Sequence, residues 1–264
     1  MSTDFSENAQ HAIDYALSIF GDQDVNYFLL NSYYLIHNFP EMLISLEDIL
    51  HEQSEKGLKK NLINIKNAHQ SLAIETVSTY GEPTVAIKKV VKDQGIDIVV
   101  MGSQGSSALK DVFFGSNTAN LVKRISQPIL IVPLHYAVKP PRKIVFATDL
   151  TQVENLKVLE PMLLLARKYQ SEIIIMNVTG KHSDLRVRRA LDRLDFNNHF
   201  QGINYRFEVV QNEDTLAGIS EFVGNELANM LVLSPKEYPN FRDLFHRSVT
   251  KKMIQRAEIP IFVI

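Results

Sequence analysis

The stretch IDIVVMGSQGSSALKDVFFGS, residues 96–116, joins a short apolar run to a segment that holds three glycines. The run lacks polar alternation, which is typical of a parallel strand that is covered on both faces. Because Gly102 follows the run directly, we expect it at the carboxyl edge of the sheet, where open parallel sheets bind ligands. Gly102, Gly105 and Gly115 therefore predict either a phosphate-binding segment or a plain connection between a strand and a helix.

Similar apolar runs alternate with amphipathic helical stretches along the whole chain, which is typical of an α/β fold with right-handed crossovers. Ser6 is predicted to cap a helix that ends at Phe20, a long helix to start near Pro40, and Pro83 to open a third helix. The predicted strands are residues 25–31, 72–79, 96–101 and 128–133 in the first half, and 143–147, 172–178, 204–210, 229–234 and 260–264 in the second.

The chain contains two copies of one pattern. Residues 100–132 align without a gap on residues 232–264, and eight of the aligned positions carry the same residue. In addition, STDFS at residues 2–6 resembles ATDLT at residues 147–151, and each stretch stands at the start of its half. We infer a duplicated module, because the register is ungapped and the strand ends match.

The paired prolines in LHYAVKPPR, residues 134–142, mark the predicted boundary between two domains, residues 1–134 and 143–264. The first copy lacks a counterpart of KIVF, the strand that precedes ATDLT in the second copy. We expect that the chain as given starts late, although another segment could take the place of this strand or the sheet could be rearranged. Upstream coding sequence that reads like a strand would support the late start.

Composition excludes several classes of function. The net charge of −2 and the pI of about 6.5 provide no basic surface for nucleic acid or for an anionic membrane. The chain has no cysteine, and its eight histidines show no metal-binding spacing. No apolar run approaches about 18 residues. We therefore expect a cytoplasmic protein without metal-binding or catalytic residues, and without nucleic acid or membrane as a partner.

The glycine spacing is neither a Walker loop nor a dinucleotide fingerprint. Two glycines separated by two residues are followed, after nine more residues, by Gly-Ser. Together with VVMGSQG, NLVKRISQPILIVP and TDFSENAQHAIDYAL, this spacing closely resembles the ATP-binding signature of the universal stress protein family. The resemblance covers essentially the whole chain, as two tandem domains of that family.

The resemblance implies two open-twisted parallel sheets of the adenine nucleotide alpha hydrolase-like type, with strand order 3-2-1-4-5 and flanking helices. It also implies binding of ATP, with or without Mg²⁺. The phosphates and ribose would lie on the glycine segment and the base near the ends of the first two strands. The candidate nucleotide-binding residues are Thr3, Asp4, Asn31, Ser32, Met101, Gly102, Gly105, Gly115, Ser116 and Asn117.

In the second copy, Ser234, Glu237 and Arg247 stand where the first copy has its three glycines. Their side chains would fill the phosphate space, so we expect the second domain not to bind nucleotide. The resemblance further implies pairing of the two domains through the edge strands at residues 128–133 and 260–264, and a homodimer is compatible with it.

The expected role is that of a stress-response binding or regulatory protein, although slow ATP hydrolysis stays open. One alternative is an interaction protein that binds no nucleotide. Another is a small-molecule binder that uses the altered pocket of the second domain. Asp4 and Asp149 could each also serve only to cap a helix.

Overall fold

The chain is an α/β protein with parallel strands and flanking helices, and it divides into two compact units, Met1–Gln127 and Pro128–Ile264. The computed structural model describes residues 1–21, 24–35, 43–103, 116–148, 156–180, 199–233, 253 and 258–264. No helix formed by these residues is both long enough and apolar enough to cross a membrane.

The first unit alternates helices and strands as predicted. Its elements are α1 (Glu7–Phe20), β1 (Asn26–Tyr33), α2 (Leu43–Ala68), β2 (Ala73–Tyr80), α3 (Pro83–Asp93), β3 (Val99–Gly102) and α4 (Ser116–Arg124). The Ser6 cap is confirmed, because its side chain accepts a hydrogen bond from the amide of Ala9. Pro83 opens α3, also as predicted.

The strand predicted at residues 96–101 begins later than expected, at Val99. Gly95 adopts a left-handed conformation with φ of +61°, and the amide of Ile96 donates back to the carbonyl of Val91 at 3.0 Å. This turn ends α3. The amide of Ile96 is hydrogen-bonded within the turn, so the strand begins after it.

A short extended segment, Met1–Thr3, lies where strand order 3-2-1-4-5 requires the first strand. Met1 and Thr3 exchange backbone hydrogen bonds with Leu30 of β1, of 2.9 and 2.8 Å. On the other side, the amide of Ser2 donates to the carbonyl of Val100 in β3 at 2.9 Å. The amine of Met1 donates to the carbonyl of Phe28, and burial lowers its pKa to about 5.

One cluster of the core of the first unit lies between β1 and the helices α1 and α2. Alternate residues of β1 face it, as do residues that lie one or two turns apart on each helix. The buried side chains of this cluster are Ile13, Leu17, Tyr27, Leu29, Leu58, Ile65 and Leu72.

The second unit confirms the predicted strand order directly. Its elements are β4 (Ile129–Val132), β5 (Lys143–Ala147), a short 3₁₀ helix (Leu156–Leu159), α5 (Glu160–Tyr169), β6 (Glu172–Thr179), β7 (Asn204–Gln211), α6 (Thr215–Asn225), β8 (Met230–Leu233) and β9 (Ile261–Val263). Five parallel strands follow the order β7-β6-β5-β8-β9, and β4 pairs antiparallel with β9.

A network of charged side chains joins the amino-terminal ends of three strands in the second unit. Glu226, which follows α6, accepts from Lys143 of β5 at 3.1 Å and from Arg206 of β7 at 2.7 Å. Arg206 also donates to Glu172 of β6 at 3.0 Å and pairs with Glu208. The hydrogen bonds from Arg206 and Lys143 lower the pKa of Glu226.

We predict that Glu226→Gln lowers the free energy of unfolding at pH 7 by roughly 0.5–1 kcal/mol, because the network loses the carboxylate that joins Lys143 to Arg206. The pKa of Glu226 in the folded state is below its ordinary value of 4.5. The stabilisation by Glu226 is therefore complete above about pH 4.5 and is lost as the pH falls through the folded-state pKa. Urea denaturation of both proteins at pH 7 and at decreasing pH measures this difference.

The matched control is Glu160→Gln, since among the described residues Glu160 forms one ion pair, with Arg167 at 3.1 Å, and that pair is more exposed. We expect a smaller effect for that variant. Equal effects of the two substitutions at pH 7 would mean that the Glu226 network adds nothing beyond an ordinary surface pair.

Candidate functional site

The candidate residues of the first unit emerge from two adjacent segments at one edge of the sheet. Thr3 ends the segment Met1–Thr3 and Asp4 follows it, while Gly102 ends β3 and Ser103 follows that strand. The bond from Ser2 to Val100 holds these two segments side by side. β1 lies on one side of the short segment and β3 on the other, so the strand order reverses here. This is the position at which open α/β sheets bind ligands.

The side chain of Asn31 braces the turn that follows the short segment. Its Nδ2 donates to the carbonyl of Thr3 at 2.8 Å, while the amide of Thr3 donates to the carbonyl of Leu30 at the same distance. Both Thr3 and Asn31 are buried. Asn31 therefore serves the scaffold with its amide nitrogen, which fixes the direction in which the chain leaves the sheet.

The second unit repeats this brace. Nδ2 of Asn177 donates to the carbonyl of Thr148 at 2.8 Å, and the amide of Thr148 donates to the carbonyl of Met176 at 3.0 Å. The equivalence of Asn31 and Asn177 escaped the sequence comparison, although Thr3 and Thr148 were aligned. An alignment that continues to the second strand of each half with a gap of one residue pairs these two asparagines.

Asp4 belongs to a tight turn that leads into α1. Its Oδ1 accepts a hydrogen bond from the amide of Ser6 at 3.1 Å, and Oγ1 of Thr3 accepts one from the amide of Phe5 at 3.0 Å. Phe5 has a φ of 64°, which bulky L-residues rarely adopt. Its ring points at Gly57 of α2, where a Cβ would lie 2.4 Å from Cζ of Phe5. Asp4 itself stays exposed at the edge of the sheet.

Gly102 is a glycine because α1 packs against it. An added Cβ would lie 2.7 Å from Oδ1 and 2.9 Å from Cγ of Asn8. Nδ2 of Asn8 also donates to Oγ of Ser103 at 3.3 Å. From α4, Oγ1 of Thr118 donates to the carbonyl of Gly102 at 3.5 Å. Helices α1 and α4 thus fix the end of β3, and Asn8 and Thr118 are contributors that the sequence analysis missed.

The other candidate residues have the following positions. Met101 is buried in β3, and Ser32 is half-buried in β1 opposite Thr79. Ser116 and Asn117 begin α4, which has no acidic residue in its first turn. The residues that lie outside the described part of the chain are Gly105, Gly115, Asp149, Ser234, Glu237 and Arg247.

A polar cluster lies beside this edge, between α2 and the ends of β1 and β2. Oη of Tyr33 is 3.0 Å from Nδ1 of His51, and the hydroxyls of Ser54 and Ser78 are 2.7 Å apart. Burial and the nearby carboxylates, Glu47 foremost, raise the pKa of Tyr33. Tyr33 therefore stays protonated, and its hydroxyl shares a hydrogen bond with Nδ1 of His51. In the described part of the chain, no group of three or more His, Asp or Glu side chains is placed to hold a metal ion.

The sequence model of the universal stress protein family matches residues 2–133, which is half of the chain. The chain belongs to the universal stress protein family. It is similar to the universal stress protein MJ0577 of Methanocaldococcus jannaschii, with 29% identity over 154 residues that cover 49% of this chain and 90% of that protein. It is also similar to the universal stress protein YxiE of Bacillus subtilis, with 34% identity over 89 residues, covering 33% and 60%.

Among solved structures, a universal stress protein from Archaeoglobus fulgidus matches 99% of this chain and 96% of its own. The TM-score is 0.77 and the sequence identity is 20%, so this likeness shows the fold alone. The parallel α/β architecture of this universal stress protein is therefore that of its family.

We predict that Asn31→Asp lowers the free energy of unfolding of the first unit by about 1–3 kcal/mol. The substitution removes the donor to the carbonyl of Thr3 and places a carboxylate beside that oxygen. Urea denaturation measures the effect. Asn26→Asp, on an exposed position of the same strand, is the matched control and should change stability little. If both variants were as stable as the wild type, the brace would not hold the turn.

Proposed function

We propose that the first unit binds an adenine nucleotide, with ATP as the ligand, and that the protein acts as a stress-response binding or regulatory protein. The observation that carries the proposal is the meeting of two segments at the strand-order reversal. The Asp4 turn and the end of β3 lie side by side there, held by the bond between Ser2 and Val100. A ligand at this edge can touch both segments at once.

The end of β3 and the start of α4 suit the phosphates. α4 begins at Ser116 without an acidic residue in its first turn, so its free amides and its dipole favour an anion. Thr118 ties this helix to the carbonyl of Gly102. The glycine spacing between these two points is the feature that favours a triphosphate. Mg²⁺ would enter with the phosphates as their counter-ion.

The Asp4 turn suits the hydroxyl groups of a nucleoside. A carboxylate offers about four acceptor sites, so the bond from the amide of Ser6 does not exhaust Asp4. Because Asn31 and Thr3 fix the turn through buried hydrogen bonds, Asp4 would meet the ligand with little loss of conformational freedom.

Binding, and not turnover, is the proposed activity. Nucleotide would favour the conformations of the glycine segment and α4 that contact it, and a partner could read that change. We propose one nucleotide per chain, since the second copy replaces the glycines by Ser234, Glu237 and Arg247. A homodimer, pairing of the two domains through their edge strands, and a cytoplasmic location stay predictions.

We predict that Mg-ATP raises the thermal denaturation temperature of the wild type and has no such effect on Gly105→Asp. A ligand at 100 times its Kd should add about 2.7 kcal/mol to the free energy of unfolding. The carboxylate that Gly105→Asp introduces would occupy the position of the phosphates and repel them. Differential scanning fluorimetry with ATP, ADP and AMP measures the shift, and isothermal titration calorimetry measures the stoichiometry.

Gly224→Asp is the matched control, because it adds the same charge at a position of α6 with open space around it. It should keep the full shift. Absence of any shift in the wild type would refute nucleotide binding, and an equal shift in Gly105→Asp would place the site away from the glycine segment.

A further inference from the structure

Asn8 of α1 connects the two segments of the candidate site. It lies in the first turn of the helix that follows the Asp4 turn, and its carboxamide packs on Gly102 and Ser103 at the end of β3. Nδ2 of Asn8 donates to Oγ of Ser103 at 3.3 Å. The side chain therefore links α1, which follows the Asp4 turn, to the end of β3, which leads into the glycine segment.

The carboxamide of Asn8 is buried without being satisfied by the described residues. Asn8 is 5% exposed, and its Oδ1 has no hydrogen-bond partner among them. Exchanging the oxygen and nitrogen of the amide only exchanges which atom lacks a partner. A buried polar atom without a partner destabilises a fold, so packing alone does not account for an asparagine at this position.

The second copy of the module provides an internal comparison. In that copy ATDLTQV aligns with STDFSEN, so that Val153 stands at the position of Asn8. The same copy has Ser234 at the position of Gly102. The half that has lost its glycines therefore also has an apolar residue in place of the asparagine.

We propose that Asn8 is a positioning residue of the nucleotide site, retained for ligand binding and not for stability; this rests on the proposed function. Asn8 fixes Ser103, and with it the point at which the chain enters the glycine segment, relative to Asp4. The nucleotide bridges these two points, so its affinity depends on their spacing. The close contact with Gly102 leaves no room for a residue larger than glycine there.

The test compares Asn8→Ala with Asn61→Ala in the full chain. Asn61 lies in α2, which carries none of the candidate residues, and its Nδ2 is also buried without a partner among the described residues. Calorimetric titration with Mg-ATP at a temperature where all proteins are folded gives the Kd, and urea denaturation gives the midpoint. For Asn8→Ala we expect a Kd about ten-fold higher with a midpoint that is unchanged or higher. For Asn61→Ala we expect an unchanged Kd.

A purely structural role for Asn8 predicts the reverse, a lower midpoint and an unchanged Kd, and that result would overturn the proposal. Asn8→Val, which carries the residue of the second copy, should also weaken binding, so the test does not depend on one variant. If the wild type binds no Mg-ATP, the proposed function fails and this role of Asn8 falls with it. If the wild type and Asn8→Ala bind equally, only the role of Asn8 fails.

A second arm tests the contact without any nucleotide. Gly102→Ala should lower the urea midpoint, because its Cβ would lie 2.7 Å from Oδ1 and 2.9 Å from Cγ of Asn8. Gly102→Ala combined with Asn8→Ala should regain most of the loss, since the two close contacts are removed and the backbone carbon of Asn8 lies 3.1 Å from the added Cβ. No recovery in the double variant would remove the structural basis of the proposal.

Discussion

The first unit depends on a short length of backbone, because Met1–Thr3 carries the hydrogen bonds between β1 and β3. Inner strands of a parallel sheet have no water to replace missing partners, so both neighbours need this segment. Its position also creates the site. The chain leaves the sheet at Asp4 beside the end of β3, and the strand order reverses between the two. The backbone hydrogen bonds alone thus place the Asp4 turn beside the end of β3.

The polar side chains at this edge largely serve the scaffold. Asn31 bonds the carbonyl of Thr3, Thr118 bonds the carbonyl of Gly102, and Ser6 caps α1. Under the proposed function, the first amides of α4 would favour an anion, and the carboxylate of Asp4 would accept hydrogen bonds from the ligand. This division favours a ligand that is anionic at one end and rich in hydroxyl groups at the other.

Most of the fold could be predicted from the sequence, because buried parallel strands consist of apolar residues without interruption. The predictions for β5, β6 and β7 agree with the structure to within one residue. Contacts between distant residues could not be predicted in this way. The approach of Asn8 to Gly102 depends on how closely a helix packs on a strand, and glycine spacing alone cannot distinguish that cause from a phosphate. The sequence located the candidate edge, but the partners of Asn31 and the reason for Gly102 required coordinates.

The two units separate what the fold requires from what a ligand would require. Both have the threonine at the end of the first strand and the asparagine that braces it, with the same bond length of 2.8 Å. A feature found in both units therefore belongs to the architecture of the sheet edge. The copies differ in sequence at the glycines and at the position of Asn8, where the second copy has Val153. If the brace alone created a nucleotide site, both copies would carry one. Under the proposed function, nucleotide binding would therefore depend on the glycine segment and on its contact with α1.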